Sequence, residues 1–413
     1  MAVTFLHIAD THIGVETYGR LDPSTGLNTR VLDFTRCLSF AFDQAIERDV
    51  DFVVFSGDAY KTCDPSATHQ RQLAGCIQTL SEADIPVVIV IGNHDAPVSF
   101  GKANSVDIFR TLATKGVHIA DSDAVVDLET KSGPVQVACL PWLHRSHLLA
   151  TEDHKDATEA EVLEHLQRLG ASIVDGLAAR VDRSTPTVLA AHLAVADAAL
   201  SGSEQTAVIG RDPVFLTSTL AQPAFDYVAL GHIHKHQDMN PGASPAVVYS
   251  GSIDRIDFGE EQETKGCCFV TIDQDSAGTP TGTSYEFLPT PSRQFKTIRV
   301  DVSRSVDPTL AIVAELDQHD LREHIVRIIY KSDSGHAKLD YPRIREATRD
   351  ALVVAGIYPE AEKLRTQRRS TVTREMGLKT ILQAYVDNNS RLEPLKNDLI
   401  ARALELEAEE ANL

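Results

Sequence analysis

The sequence predicts an α/β fold: a two-layered α/β sandwich, then a small domain of alternating type and two terminal helices. Three observations lead there. Apolar runs of strand length alternate with amphipathic stretches of helical period through roughly the first two-thirds of the 413 residues. Some runs, such as Val87-Val-Ile-Val-Ile91, are apolar throughout, as in central strands covered on both faces. A Pro-Thr-Pro-Ser segment starting at Pro289 then separates this region from a shorter alternation.

The elements follow in order. Val3–Ala9, Phe52–Ser56 and Val87–Ile91 are strands, and the stretches between them, Thr29–Arg48 and Ala67–Ala83, carry apolar residues at helical spacing. Val135–Leu140, Thr187–Ala191, Tyr227–Leu230 and Ala246–Ser250 are further strands. Cys267–Asp273 and Ser284–Leu288 flank a turn rich in Gly, Pro and Thr (Ala277–Gly282) and form an antiparallel closing edge. Past the linker, Gln294–Val302 and Ile325–Lys331 are strands around the helix Pro308–His319, and Tyr341–Ala355 is a helix. From Thr371 two short apolar stripes, Met376 to Tyr385 and Leu392 to Leu404, have too little mutual core to stand alone. They pack on the body of the protein or dock on another chain. The expected domains are 1–290, 291–360 and 361–413.

Composition narrows the function. No run approaches the ~20 apolar residues that span a bilayer, no secretory signal is visible, and six scattered cysteines without a Cys-x-x-Cys pair suggest reduced thiols in a cytoplasmic protein. A formal charge of −20 is wrong for a protein that grips a phosphate backbone unaided. Divalent cations could supply the positive charge, a partner subunit could hold the polyanion, or the substrate could be a small phosphoester.

Five strand ends carry metal-binding residue types: Asp10 and His12, Asp58, Asn93 with His94, His192, and the pair His232 and His234. Strand ends in an open α/β sheet are where ligands bind. Asp58, preceded by the permissive Gly57, can bridge two ions, and ions ~3.5–4 Å apart can clamp a phosphoester. Oxygen and imidazole ligands without thiolate suit manganese, iron or zinc. His94 would project into the same crevice as a general acid, with Asp95 orienting it. His7 points away by alternation and is structural; His144, His147, His154 and His165 lie in a polar connecting region and are assigned no role from the sequence.

Taken together, Asp10-x-His12, Gly57-Asp58, Gly92-Asn-His-Asp95, His192 and Gly231-His-x-His234 resemble the calcineurin-like metallophosphoesterases over the first ~260 residues. The resemblance implies a two-sheet β-sandwich flanked by helices and a binuclear centre, usually manganese-dependent in nucleases. Asp10, His12, Asp58 and His234 would hold one ion; Asp58, Asn93, His192 and His232 the other. Phe5-Leu-His-Ile-Ala-Asp-Thr-His-Ile-Gly14, Tyr18-Gly, Arg30 and the run from Ser250 to Phe258-Gly-Glu260 are similar to SbcD-type DNA repair nucleases. That likeness implies a small α+β capping domain and a helix pair that docks an SbcC-like ABC-type coiled-coil ATPase. It also implies a homodimer formed near Gln70–Leu80 and Val106–Leu112, with Arg30 either behind the metal ligands or at the substrate phosphate. One position departs: Lys61 stands where the family commonly has a phosphate-steering histidine. Lysine can contact phosphate as a point charge but cannot replace a neutral imidazole. The cationic run Lys363, Arg365, Arg368, Arg369 and Arg374 is a DNA contact or a solvated face.

The expected function is a manganese-dependent DNA exo- and endonuclease working with an ATPase in double-strand-break repair. The alternatives are hydrolysis of small phosphoesters or cyclic nucleotides, and a catalytically silent scaffold, the latter disfavoured because every ligand type is present.

Overall fold

A computed structural model describes residues 2–97, 101–144, 158–202, 212–333 and 336–360. Met1–Tyr330 with Lys338–Tyr358 make one compact unit, and everything below lies in it; the second unit falls almost wholly outside the described residues. The two terminal stripes and the cationic run 363–374 therefore lie outside the description.

Two six-stranded sheets form the sandwich. The first has the order β14 (Pro280–Pro289), β13 (Gly266–Gln274), β1 (Ala2–Ile8), β2 (Phe52–Phe55), β3 (Val87–Val90), β4 (Val117–Ala120). From β1 to β4 it is parallel, while β13 runs antiparallel to β1 with Phe5 opposite Val270. The second has the order β11 (Gln237–Asp238), β12 (Ala246–Tyr249), β10 (Tyr227–Gly231), β7 (Thr187–His192), β6 (Gly133–Leu140), β5 (Ala124–Thr130), with β6, β7, β10 and β12 parallel. A short pair, β8 (Ala194–Val195) and β9 (Val214–Phe215), stands beside it.

Alternation along each strand splits its side chains between two cores. Val3, Phe5, Phe52, Val54, Val88 and Val90 face Val137, Val188, Tyr227 and Ala229 across the sheet interface. The opposite set, Leu6, Ile8, Val53, Phe55 and Ile89, packs under Phe34, Leu38 and Phe42 of α1 (Thr29–Glu47) and Leu73 and Ile77 of α2 (Ala67–Glu82). On the far side Leu189, Leu230 and Val247 meet Val174 and Leu177 of α4 (Glu159–Arg180), which follows the short α3 (Asp107–Thr111). The result is helix, sheet, sheet, helix, as expected. His7 shares the interface between the sheets, where burial drives its pKa down to about 3 and its ring reaches the Tyr227 hydroxyl and Leu230 carbonyl. It is structural.

The chain leaves β14 at Pro289 and enters a separate three-stranded sheet, β15 (Phe295–Asp301), β16 (Ile325–Lys331), β17 (Val353–Pro359), with α5 (Pro308–Leu316) and α6 (Tyr341–Ala347). Here the expectation of one helix over Tyr341–Ala355 is corrected. The helix, capped by Asp340, stops at Ala347, and Val353 begins a third strand beside β16. A short apolar run such as Leu352-Val-Val-Ala fits either period, and the open edge of β16 decides it. The region around His165 is likewise a 22-residue helix, α4, with a Thr158/Glu161 capping box, not a polar connector. Strands β4 and β5 were not anticipated, and the turn before β14 is tighter than expected, centred on Asp275–Thr279. Leu73, Cys76, Ile77, Leu80 and Phe109 fill the protein's own core, so of the large apolar side chains on α2 and α3 only Ile108 and, just past it, Leu112 stand exposed.

Of the two places expected for Arg30, full burial leaves the one behind the ligands: Nη1 lies on Asp33 (2.8 Å) and Asp254 (3.2 Å) and Nη2 on the Arg255 carbonyl. Arg293, from the linker, binds the same Asp33 and reaches Glu323 (3.0 Å). The network ties α1 to the loop after β12 and to the small sheet. Removing one member of a buried ionic network leaves uncompensated charge. Arg30→Met should therefore lower stability by about 3–5 kcal/mol in urea unfolding. Arg322→Ala, which breaks only the exposed pair with Asp320, should leave the midpoint unchanged.

Candidate metal centre

The site forms where parallel strands from both sheets end together. Asp10 and His12 follow β1, Asp58 follows β2, Asn93 and His94 follow β3, His192 closes β7, and His232 and His234 follow β10. The loops after β1 and β2 stay in register: Asp10 N–H donates to the Gly57 carbonyl and His12 N–H to the Asp58 carbonyl, each at 3.0 Å. Four of the expected residues hold a left-handed backbone, Asp10 (φ 52°), His12 (39°), Asp58 (58°) and His232 (95°). Such backbones outside glycine cost on the order of 1–3 kcal/mol each and collect at functional sites. Glycines allow the close approach: a Cβ at Gly92 would collide with Asp58 Oδ1, and one at Gly57 with His192 Nδ1.

All eight residues expected to bind metal or act as acid converge. His12 Nε2 lies 3.1 Å from His234 Nε2, 3.8 Å from Asp10 Oδ1 and 3.7 Å from Asp58 Oδ2. His192 Nε2 is 2.9 Å from Asn93 Oδ1 and 3.5 Å from Asp58 Oδ2, and His232 Nδ1 is 3.1 Å from the same Asn93 oxygen. Three sets could each hold an ion: Asp10, His12 and His234; His12, Asp58 and His94; Asp10, Asp58 and His192. The hydrogen-bond chemistry fits cations. His192 Nδ1 donates to the Ser56 carbonyl (2.7 Å), so a neutral His192 turns a bare Nε2 toward Asn93 Oδ1, itself an acceptor. His12 Nδ1 is buried without a hydrogen-bond partner. A cavity that gathers lone pairs onto lone pairs is completed by positive charge, and the donor set, imidazole and oxygen without thiolate, suits divalent transition metals.

Electrostatics agree. Burial pushes the Asp10 carboxyl up to about 7 against the pull of His192 and His234. Burial would raise Asp58 too, but the imidazoles of His192, His94 and His12 outweigh it and hold Asp58 well below the carboxylate range. Burial opposes charge on His192, yet Asp58 and Asp10 carry it up to about 9.

His94 is partly exposed, and its Nδ1 donates to the Lys61 carbonyl (2.8 Å), leaving Nε2 facing the site 4.0 Å from Asp58 Oδ2. That contact replaces the orienting role expected of Asp95. The Asp95 carboxylate instead accepts from the N–H groups of Ala59, Tyr60 and Gly92 and from Ser105, stitching two ligand loops together. The Lys61 side chain is exposed. Sequence reasoning missed Glu260, which takes His234 Nδ1 at 2.9 Å, Asp212 on His232 Nε2 at 3.1 Å, and Trp142, whose ring lies 5.1 Å from that of His232. Glu260 ends the Phe-Gly-Glu run already singled out; a carboxylate that follows a ligand-rich segment was the available signal.

Cation binding must displace the protons that His192 and Asp10 hold in the free protein. Affinity for divalent ions should therefore rise with pH, more steeply below about 7, where Asp10 and His192 both hold protons, and less steeply from there up to about 9, as His192 gives up its own. Titration calorimetry in buffers of different ionisation enthalpy should show the matching proton release.

Comparison with known proteins places the chain. The calcineurin-like phosphoesterase profile matches residues 3–236, a segment that contains every strand end described above. The chain is 23% identical over 357 residues to the SbcD subunit of nuclease SbcCD from Staphylococcus epidermidis, covering 86% of this chain and 83% of that one. It is 29% identical over 260 residues to the Rhodobacter capsulatus protein of the same name, covering 60% of this chain and 61% of that one. To the uncharacterized metallophosphoesterase YhaO of Bacillus subtilis it is 26% identical over 316 residues, 74% of this chain and 65% of that one. In the last two cases it spans less than two-thirds of the relative. With its strand-end histidines and carboxylates inside the matched segment, the chain belongs to the calcineurin-like phosphoesterase family.

Proposed function

We propose that the chain is the nuclease subunit of an SbcCD-like complex, a manganese-dependent DNA phosphodiesterase acting in double-strand-break repair. One observation carries the reading beyond the family. The alignment with the Staphylococcus protein covers 357 residues, more than the segment 3–236 can hold, so the likeness runs on past the phosphoesterase domain. An enzyme for small phosphoesters has no need of a following small sheet and terminal segment.

In this reading Asp10, His12, Asp58 and His234 would hold one cation, and Asp58, Asn93, His192 and His232 would hold the other. The bound cations would polarise the phosphoryl group and offset its developing charge. His94 supplies the proton. Its Nδ1 is fixed on the Lys61 carbonyl, so the protonated ring presents Nε2–H to the leaving oxygen, and its partial exposure lets substrate reach it. Lys61 meets a phosphate oxygen as a point charge. The charge of −20 means that DNA affinity rests on the cations and on the ATPase partner. Domain 291–360 caps the nuclease domain 1–290, segment 361–413 docks the ATPase, and the protein acts as a homodimer in the cytoplasm.

His94→Gln should leave manganese binding intact and lower kcat on labelled DNA about 10²–10⁴-fold. Turnover of a chromogenic phosphodiester with DNA inert, even after the ATPase is added, would establish the small-ester reading instead. Deleting 371–413 should abolish co-purification of the ATPase while manganese-dependent cleavage of single strands persists.

A further inference from the structure

His234 is held from outside the matched phosphoesterase segment. Glu260, at the end of the 3-10 turn Phe258–Glu260, is fully buried and directs Oε1 at His234 Nδ1 (2.9 Å). Its Oε2 takes the Lys265 ammonium (2.9 Å) and the Ile256 N–H (2.9 Å). Lys265 is 1% exposed and donates as well to the His234 carbonyl (3.0 Å) and to Glu263 (2.7 Å). A buried carboxylate that takes an ammonium and a backbone N–H on one oxygen is held in its ionised form by those partners. An ionised carboxylate only accepts, so His234 Nδ1 must carry a hydrogen, and in the neutral ring Nε2 is then the nitrogen without one, on the side of the site.

We propose that Glu260 is the positioning residue for His234, locking it in the Nδ1–H tautomer and raising the basicity of Nε2, with Lys265 as its counter-charge. The inference rests on the reading of this cluster as a cation site, which it deepens. The free side chain favours the opposite tautomer, in which Nε2 would carry the hydrogen and repel a cation. The contrast with His12, whose Nδ1 has no hydrogen-bond partner, is direct. Of these two imidazoles, 3.1 Å apart at Nε2, one is held at Nδ1 by a charged acceptor and the other has no hydrogen-bond partner at Nδ1 among the described residues. Carboxylates placed behind a ligand histidine typically contribute 10–100-fold in metal affinity.

A merely structural Glu260–Lys265 ion pair would stabilise the fold without fixing the ring, so the test reads the ring. In the metal-free full chain at pH 8, long-range proton–nitrogen spectra of the histidines should show His234 protonated at Nδ1 and bare at Nε2. E260A should release that tautomer, and E260Q, which keeps an acceptor but no charge, should keep it. By titration calorimetry with manganese, E260Q should bind about 10-fold more weakly and E260A up to about 100-fold more weakly. A native His234 protonated at Nε2, or E260Q binding as tightly as the native chain, overturns the proposal. Should E260A fail to fold, the native spectrum and E260Q still decide. If the native chain binds no divalent ion, the cation-site reading falls, while the tautomer measurement still settles the role of Glu260.

Discussion

Two carboxylates, Asp10 and Asp58, are buried at the ends of adjacent parallel strands, and much of the surrounding structure answers that constraint. Buried charge without a partner is among the most expensive features a fold can carry. Here the compensation comes from elements far apart in sequence: His192 and His232 from the second sheet, His94 after β3, and backbone N–H groups aimed at the carboxylates, His232 N–H at Asp10 and His94 N–H at Asp58. The two sheets must face each other for this to work, since neither contains both the acids and enough imidazoles. The apolar layer between them, with Phe5 stacked on Phe52 and edge-on to Tyr227, fixes that spacing.

Much of this was legible in the sequence because parallel strands announce themselves. A run such as Val87–Ile91 leaves few alternatives, and polar residues immediately after several such runs must gather along one edge. What was not legible depended on distance. Arg30 sits near the start of α1, and no local pattern says that its guanidinium will face Asp254, 224 residues on, instead of substrate. Asp95 looked like a partner for its neighbour His94, but Gly92 and the Asp58–Tyr60 loop bring three backbone N–H groups within its reach, and these win. The strand after α6 was misread for a related reason: Val353 and Val354 have no period of their own, and the unpaired edge of β16 supplies one.

Charge gives a further link between fold and chemistry. The protein is strongly acidic, yet some of its arginines are used internally: Arg30 and Arg293 pair with Asp33, Arg30 also with Asp254, and buried Arg255 donates to the Glu263 and Arg293 carbonyls. They brace the loop after β12, whose Ser252 pairs with Ala9 and whose Ile253 N–H reaches the Asp10 carbonyl. These guanidinium groups thus reinforce the loop that packs against the acids instead of pairing with Asp10 or Asp58 themselves. The division is physically sensible, because a guanidinium at the acids would compete with metal for the same oxygens.

The turn Phe258–Glu260 shows why the chain beyond the matched segment belongs to the same machine. Glu260 faces inward to His234, while the next residue, Glu261, faces outward and accepts from Thr297 N–H (2.9 Å) and the Thr297 hydroxyl on β15. Arg327 of β16 donates to that hydroxyl (3.0 Å) and lies over the Phe258 ring, 4.2 Å from its centre. Phe258 in turn packs edge-on against Tyr18 and Phe295. Two consecutive acids on one tight turn are therefore committed in opposite directions, one to an imidazole of the site and one to the small sheet. A displacement of β15 and β16 cannot leave the turn where it is without breaking the bonds at Thr297 and uncovering Phe258, and a displacement of the turn moves the carboxylate behind His234. The geometry of the site is thus set in part by residues that never approach it, and the small sheet is attached at the place where it can hold that geometry.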